Sequence, residues 1–262
     1  MILKIKFYLL SLGYVRFFLS KLYNFINKEV KIYRKKNFWI HKKKKRYLIN
    51  FHPILKFDEF QNIYKFFIKK YKPKRGDVII DVGSGLGQEL LYLSKTIGEK
   101  GKIFSIESDP RLFKVLNEII LLNDLKNVYL FNSFFYKKNN LEVKSKLHPI
   151  NEWMSNSINS SKGKFFKTKT ITIDYIIKKY KLKKINFAKF NIEGSEVNLL
   201  SGNDTFLRKC QNICISCHDF INKKEYKTFN KVKRILEKKN FKIQKNFSKN
   251  EIQKYFIYAK KK

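Results

Sequence analysis

The sequence predicts a doubly wound α/β sheet preceded by a basic, helical extension, and three observations predict it. From Gly76 onward, short apolar runs alternate with segments of helical spacing, the rhythm of strands joined by crossover helices. One run, Asp77-Val78-Ile79-Ile80-Asp81-Val82, carries an acid next to its end and meets the glycine loop Gly83-Ser84-Gly85-Leu86-Gly87. Charge is also uneven, because residues 1–75 hold 21 of the 58 lysines and arginines but only three acids, Glu29, Asp58 and Glu59. The chain therefore divides into an extension, 1–75, and a sheet-bearing domain, 76–262.

The first thirty residues are apolar and aromatic but punctuated by Lys4, Lys6, Arg16, Lys21 and Lys28. Their longest uncharged run, 7–15, falls short of the roughly 18–20 apolar residues that span a bilayer. The segment reads as a helix, either packed on the domain or lying in an anionic membrane interface through residues 1–45. A signal peptide is disfavoured, because no small residues mark a cleavage site. His41 to Tyr47, "HKKKKRY", reads as a solvated basic loop that could reinforce lipid contact.

In the domain, Asp77 to Val82 reads as a buried strand and Gln88 to Ile97 as a helix with Leu90, Leu91 and Leu93 on its apolar face. "KIFSIE", Lys102 to Glu107, is the second strand. Asp109-Pro110 then caps and starts a helix. Asn127 to Ser133 is the third strand. The polar, turn-rich stretch 137–169 interrupts the alternation, and its segment "SNSINSSKGK", Ser155 to Lys164, has residue types that suit a mobile loop. Alternation resumes with "TITIDYIIKKY", the strand Ile185 to Glu193, the helical "GSEVNLLSG", and the strand "CQNICISCHDF" from Cys210. A helix carrying Phe229, Val232, Ile235 and Leu236, then "FKIQ" and "YFIYAK", closes the chain.

The net charge of +37 raises a polyanion partner. Only seven of the 58 basic residues are arginine, however, and the guanidinium fork is the usual reader of phosphates and base edges. Nucleic acid is therefore disfavoured as a partner. Three cysteines within eight residues, Cys210, Cys214 and Cys217, make no disulfide framework, which favours a reducing, cytoplasmic setting. "CISCH" is a literal haem-attachment pattern. On an extended strand its thiols point to opposite faces and cannot converge on one metal, so they read as buried small residues.

The glycine loop carries the chemistry. Glycines let the backbone approach a ligand closely, and Glu107, twenty residues past Gly87, stands where a carboxylate can accept both hydroxyls of a ribose. The spacing is G-x-G-x-G, flanked by Asp81 and Glu89. An acid-framed loop suits no pyrophosphate but suits the cationic amine and sulfonium of S-adenosylmethionine.

These residues carry a resemblance. "DVGSGLGQELLYLSK…GKIFSIESDP" resembles motif I and the following acidic strand of class I methyltransferases. "ITIDYI…KINFAKFNIEGSEVNLLSG" resembles the hallmark of the FkbM methyltransferase family, T-[IL]-D followed by K-[ILM]-D-[IV]-E-G-[AS]-E. The likeness covers roughly Gly76 to Phe220. It implies a Rossmann-like sheet of about seven strands, the last antiparallel, and methyl transfer to an oxygen of a small-molecule or glycan acceptor. It also implies that Asp81, Gly83, Gly85 and Gly87 hold the methionine part of S-adenosylmethionine, with Ser84 and Glu89 also in the cofactor site, that Glu107 holds the ribose, and that Asn132 or Ser133 lies near the adenine.

One departure bears on mechanism. The family's Asp in K-x-D-x-E-G is Asn191 here, a neutral and weak ligand, so no metal is assigned. His218, with Asp219 beside it to bias its protonation, is the candidate base, and Glu193 and Glu196 compete for that role or for gripping substrate. A histidine merely hydrogen-bonded at a strand end is the plain alternative. Two other functions stay open: an RNA methyltransferase, raised by the charge, and a catalytically degenerate binding module, raised by Asn191.

Overall fold

Alternating burial builds the extension. In the computed structural model, which describes residues 13–35, 38–51, 57–146, 165–192, 196–200, 202–221 and 223–262, helix α1 (Gly13–Ile26) leads into three antiparallel strands. These are β1 (Val30–Lys35), β2 (Phe38–Lys43) and β3 (Arg46–Asn50), paired in that order. The sequence reads as a helical extension with a basic loop at His41 to Tyr47, and the meander corrects it. Val30 and Ile32 are buried while Lys31 is half-buried and Tyr33 exposed, a period of two that seats a strand on the core. The "HKKKKRY" run is not a loop but the end of β2, a turn at Lys44 (φ 54°), and the start of β3. Its lysines mask a hairpin. Two short helices follow, α2 (Phe57–Gln61) and α3 (Tyr64–Phe67).

The domain then runs β4 (Val78–Val82), α4 (Gln88–Ile97), β5 (Lys102–Glu107), α5 (Pro110–Leu122), β6 (Val128–Asn132) and β7 (Phe134–Phe135). Next come β8 (Glu142–Lys146), β9 (Phe165–Ile171), α6 (Ile173–Lys179), β10 (Phe187–Phe190), α7 (Glu196–Leu200) and α8 (Asp204–Lys209). β11 (Asn212–Ser216), α9 (Phe229–Lys238), β12 (Phe241–Gln244) and β13 (Phe256–Lys261) complete it. Seven strands form the main sheet in the order β12-β13-β11-β10-β4-β5-β6. β6, β5, β4, β10 and β11 are parallel, and β13 runs antiparallel to both its neighbours. This is the doubly wound sheet with an antiparallel last strand. Local signals agree with it: Asp109 caps α5 by accepting from Arg111 N at 2.8 Å, with Pro110 at the first helical position.

The 137–169 stretch, which interrupts the alternation in the sequence, carries strands of its own. β8 pairs antiparallel with β9, and β9 pairs parallel with β7, so a second three-stranded sheet lies here. Lysines at 167 and 169 alternate with the Phe166, Thr168 and Thr170 positions that face inward, and their charge hides the period of two. The "SNSINSSKGK" segment lies outside the described residues.

Period two also sorts the core. Ile80, Val82, Phe104, Ile106 and Phe190 pack on one face of the main sheet, and Ile79, Ile103, Phe187 and Cys214 on the other. Phe104 is fully buried and touches the rings of Tyr129 and Tyr180 at centroid distances of 5.0 Å and 4.8 Å. Phe104→Ala should therefore cost about 3–5 kcal/mol in chemical denaturation, whereas Phe247→Ala, at an exposed ring, should stay within about 0.5 kcal/mol.

Candidate functional site

β4 and β10 lie side by side, but the chain continues from β4 toward β5 and β6 and from β10 toward β11 on the opposite flank. A reversal of this kind opens a crevice at the carboxyl ends of the strands, where open α/β sheets bind ligands. The backbone register sets Asp81 of β4 beside Lys189 of β10 and Ser105 of β5.

Three buried ionisable side chains meet there. Lys189 Nζ lies 3.0 Å from Asp81 Oδ1, in an ion-pair contact rather than an aligned hydrogen bond, and 3.2 Å from Glu89 Oε1. It also donates to Gly83 O at 2.9 Å. Burial works against the Lys189 ammonium, but the carboxylates of Asp81 and Glu89 more than offset it, and its pKa moves up. Burial pushes the Glu89 carboxyl up, with the Lys189 charge opposing. Among the described residues, Asp81 Oδ2 and Glu89 Oε2 are buried without a hydrogen-bond partner.

The loop needs its glycines at two points. A Cβ on Gly83 (φ +71°) would stand 2.1 Å from Asn191 O, and one on Gly87 (φ +66°) would meet Leu116 Cδ2 at 2.6 Å. Gly87 ends the loop in the left-handed region just before α4 begins. The Ser84 hydroxyl turns inward, donating to Asp81 O at 3.1 Å and lying 2.6 Å from Ser105 Oγ, so it fixes the shape of the turn.

Glu107 sits at the tip of β5 and is buried. Gly85 N donates to its Oε2 and Asp109 N to its Oε1, both at 2.9 Å. Burial pushes its carboxyl up to about 7, against the pull of those two N–H groups. Asn132 Nδ2 donates to Glu107 O at 3.0 Å and Ser108 O at 3.1 Å, and Ser133 N donates to Glu107 O at 3.2 Å. The residues assigned to ribose and adenine are thus held together at adjacent strand ends.

β11 ends two residues before His218, at the same edge of the sheet. His218 Nδ1 lies 2.8 Å from Glu196 Oε1, and both side chains are buried. Thr228 Oγ1 donates to Glu196 Oε2 at 3.0 Å. Asp219 does something else: its Oδ2 accepts from Thr228 N at 3.1 Å and Phe229 N at 3.0 Å, at the start of α9. The carboxylate that orients the imidazole is therefore Glu196, not its sequence neighbour Asp219. Asn191 is exposed at the end of β10, and Glu193 lies outside the described residues.

All three cysteines are free and buried, and burial raises each thiol. Cys214 packs on one face of the sheet, Cys210 and Cys217 on the other, so the "CISCH" pattern builds no common site. Among the described residues, no group of three or more His, Cys, Asp or Glu side chains is placed to hold a metal ion.

A family model described as the methyltransferase FkbM domain matches residues 81–243, more than half of the chain. The chain belongs to the FkbM methyltransferase family. Among solved structures it is similar to the methyltransferase FkbM of Methylobacillus flagellatus KT, with 17% identity and a TM-score of 0.51 over 77% of this chain and 47% of that one. It is also similar to Aeropyrum pernix fibrillarin in complex with natively bound S-adenosyl-L-methionine, at 12% identity and a TM-score of 0.47, over 88% of this chain and 99% of that one. A ribosomal RNA large subunit methyltransferase E of Bdellovibrio bacteriovorus is 30% identical over 81 residues, 31% of this chain. The match spans 38% of that relative's length.

The FkbM domain makes S-adenosylmethionine the cofactor, and the residues present fit it. Asp81 Oδ2 and Glu89 Oε2 are buried acceptors suited to an ammonium, and Gly83 keeps a Cβ out of the loop's closest approach. Lys189 was legible only as a charge inside an otherwise apolar strand, "FAKF", flanked on the neighbouring elements by two buried acids. Thr228 had no sequence signal.

Glu107 makes the domain's stability depend on pH. Burial raises its folded pKa to about 7, above the 4.5 of an unburied glutamate, so the stability from its neutral form is full below about 4.5 and is lost as pH rises through 7. Glu107→Gln should remove this component, so the decline in unfolding free energy between pH 4.5 and pH 7 should be shallower in the variant than in the parent protein. Denaturant titrations at both pH values read it directly.

Proposed function

We propose that this FkbM protein is an O-methyltransferase that methylates a hydroxyl of a sugar, glycan or glycolipid-type acceptor, with His218 as the general base. The observation that carries the chemistry is the buried His218–Glu196 pair at the ligand edge of the sheet. S-adenosylmethionine, when bound, supplies a methyl group on a sulfonium, which passes to the acceptor oxygen as the carbon–sulfur bond breaks. A neutral hydroxyl must lose its proton along the way. With Nδ1 directed at Glu196, Nε2 is the ring nitrogen that would take that proton, and Glu196, steadied by Thr228, fixes the ring's orientation. Positioning supplies much of the remaining rate, because the transfer is an in-line displacement. Asn191, uncharged and exposed, contributes no base. The sugar or glycan hydroxyl rests on the resemblance to the FkbM family.

A second reading, RNA methylation, is favoured by the charge of +37 and by the likeness over 81 residues to a ribosomal RNA methyltransferase. The scarcity of arginine weighs against it.

His218→Ala should lower turnover by about 10²–10⁴-fold while S-adenosylhomocysteine affinity, measured by isothermal titration, stays unchanged. Cys214→Ala and Cys217→Ala should leave turnover nearly intact. Full activity in His218→Ala would remove the base assignment, and methyl incorporation into RNA but not into glycan acceptors would favour the second reading.

A further inference from the structure

Helix α1 leaves most of its described apolar side chains facing away from the protein. Toward the protein it turns the half-buried Tyr23, which packs against the core, and several polar groups. Ser20 is buried and its hydroxyl donates to Phe17 O at 2.7 Å. The Asn24 side chain clamps β1, its amide donating to Ile32 O at 2.7 Å and its oxygen accepting from Ile32 N at 2.6 Å. Lys31 Nζ donates to Asn24 O at 2.8 Å, satisfying a carbonyl of the helix's last turn. Away from the protein it turns Phe17, Phe18, Leu22, Phe25 and Ile26, which are 44% to 85% exposed. At about 100° per residue, these five positions fall within one half of the helix circumference. A surface helix ordinarily has the opposite arrangement, and a contiguous exposed apolar face marks an interaction surface.

We propose that α1 docks this protein on an anionic lipid bilayer, lying in the interface with those five side chains toward the acyl chains. The charge distribution selects that partner. The first 28 residues contain no acid, and Lys4, Lys6, Arg16, Lys21 and Lys28 supply five cations. Lys21 stands among the exposed rings, with Nζ 5.0 Å from the centroid of Phe17. Lysine stems reach along an apolar face while their ammonium groups meet anionic headgroups. Helix α1 has 14 residues, and no described helix is long and apolar enough to cross a membrane, so it would lie along the surface. A second copy of this chain is a poorer occupant, because self-docking would set this cationic face against its own charge. The hydrogen bonds of Asn24 and Lys31 hold the apolar face in one fixed direction, ready to meet a planar surface. This inference stands apart from the acceptor proposed above.

The test is vesicle flotation of the full chain, with phosphatidylcholine alone and with roughly 30% phosphatidylglycerol added. The protein should float with the anionic vesicles and much less with the neutral ones. Phe18→Glu/Phe25→Glu should reduce flotation by at least about tenfold at an unchanged unfolding midpoint, because both rings are exposed and neither supports the core. As an independent reading, the emission of Phe25→Trp should shift to the blue on anionic vesicles and stay in place on neutral ones. The proposal is overturned if the parent protein does not float, if the double variant floats equally well, or if Phe25→Trp shows no shift. It is equally overturned if light scattering shows a dimer that Phe25→Glu splits while vesicle binding is absent.

Discussion

Lys189 occupies a central strand with almost no solvent contact, between the carboxylates of Asp81 and Glu89 and under the carbonyl of Gly83. Burying a single charge in a sheet is costly, and burying three is tolerable only when they neutralise one another at short range. The arrangement explains why each partner is where it is. Asp81 is the next-to-last residue of β4, Glu89 the second of α4, and the loop between them must pass the ammonium closely enough for Gly83 to accept from it. Removing the lysine would leave two acids in a dry pocket. Removing an acid would leave the lysine with fewer partners than its burial demands.

The same cluster shapes the ligand edge. One ammonium faces two carboxyl groups, so acceptor capacity remains, and the unpartnered oxygens Asp81 Oδ2 and Glu89 Oε2 are where it remains. A cationic amine fits that deficit, whereas a pyrophosphate would meet like charge. Lys189 therefore lets the protein keep a negative cradle folded before any ligand arrives. Farther along the edge, the Gly85 and Asp109 amides hold the Glu107 carboxylate. Glu196 holds the His218 ring. Each functional group is fixed by a neighbour on a different element, so binding requires little rearrangement.

The domain was legible because its signals are local. A strand with Asp81 next to its end, glycines at fixed offsets, Glu107 at the next strand tip and an Asp109-Pro110 cap each rest on a few adjacent residues. The extension was misread because lysines fill the solvent face of its strands, and a run of four obscured the hairpin around Lys44. The same masking hid β8 and β9 in the 137–169 stretch. In the site, pairings across long sequence separations escaped. Asp219 stands next to His218 in sequence, yet Glu196, 22 residues away, is its partner because β10 and β11 are neighbours in the sheet. Lys189 is the sharper case: the strand was recognised, but the two acids that make its burial tolerable come from β4 and α4.

The most direct test is a stability cycle on the ion cluster. Lys189→Met should lower the unfolding free energy by about 3–5 kcal/mol, because two carboxyl groups lose their shared cation. Adding Glu89→Gln to that variant should recover part of the loss, since the second substitution removes a buried charge that no longer has a partner. A cost below about 1 kcal/mol for Lys189→Met, or a Glu89→Gln step that destabilises the Lys189→Met background further, would contradict the claim that this cluster organises the site.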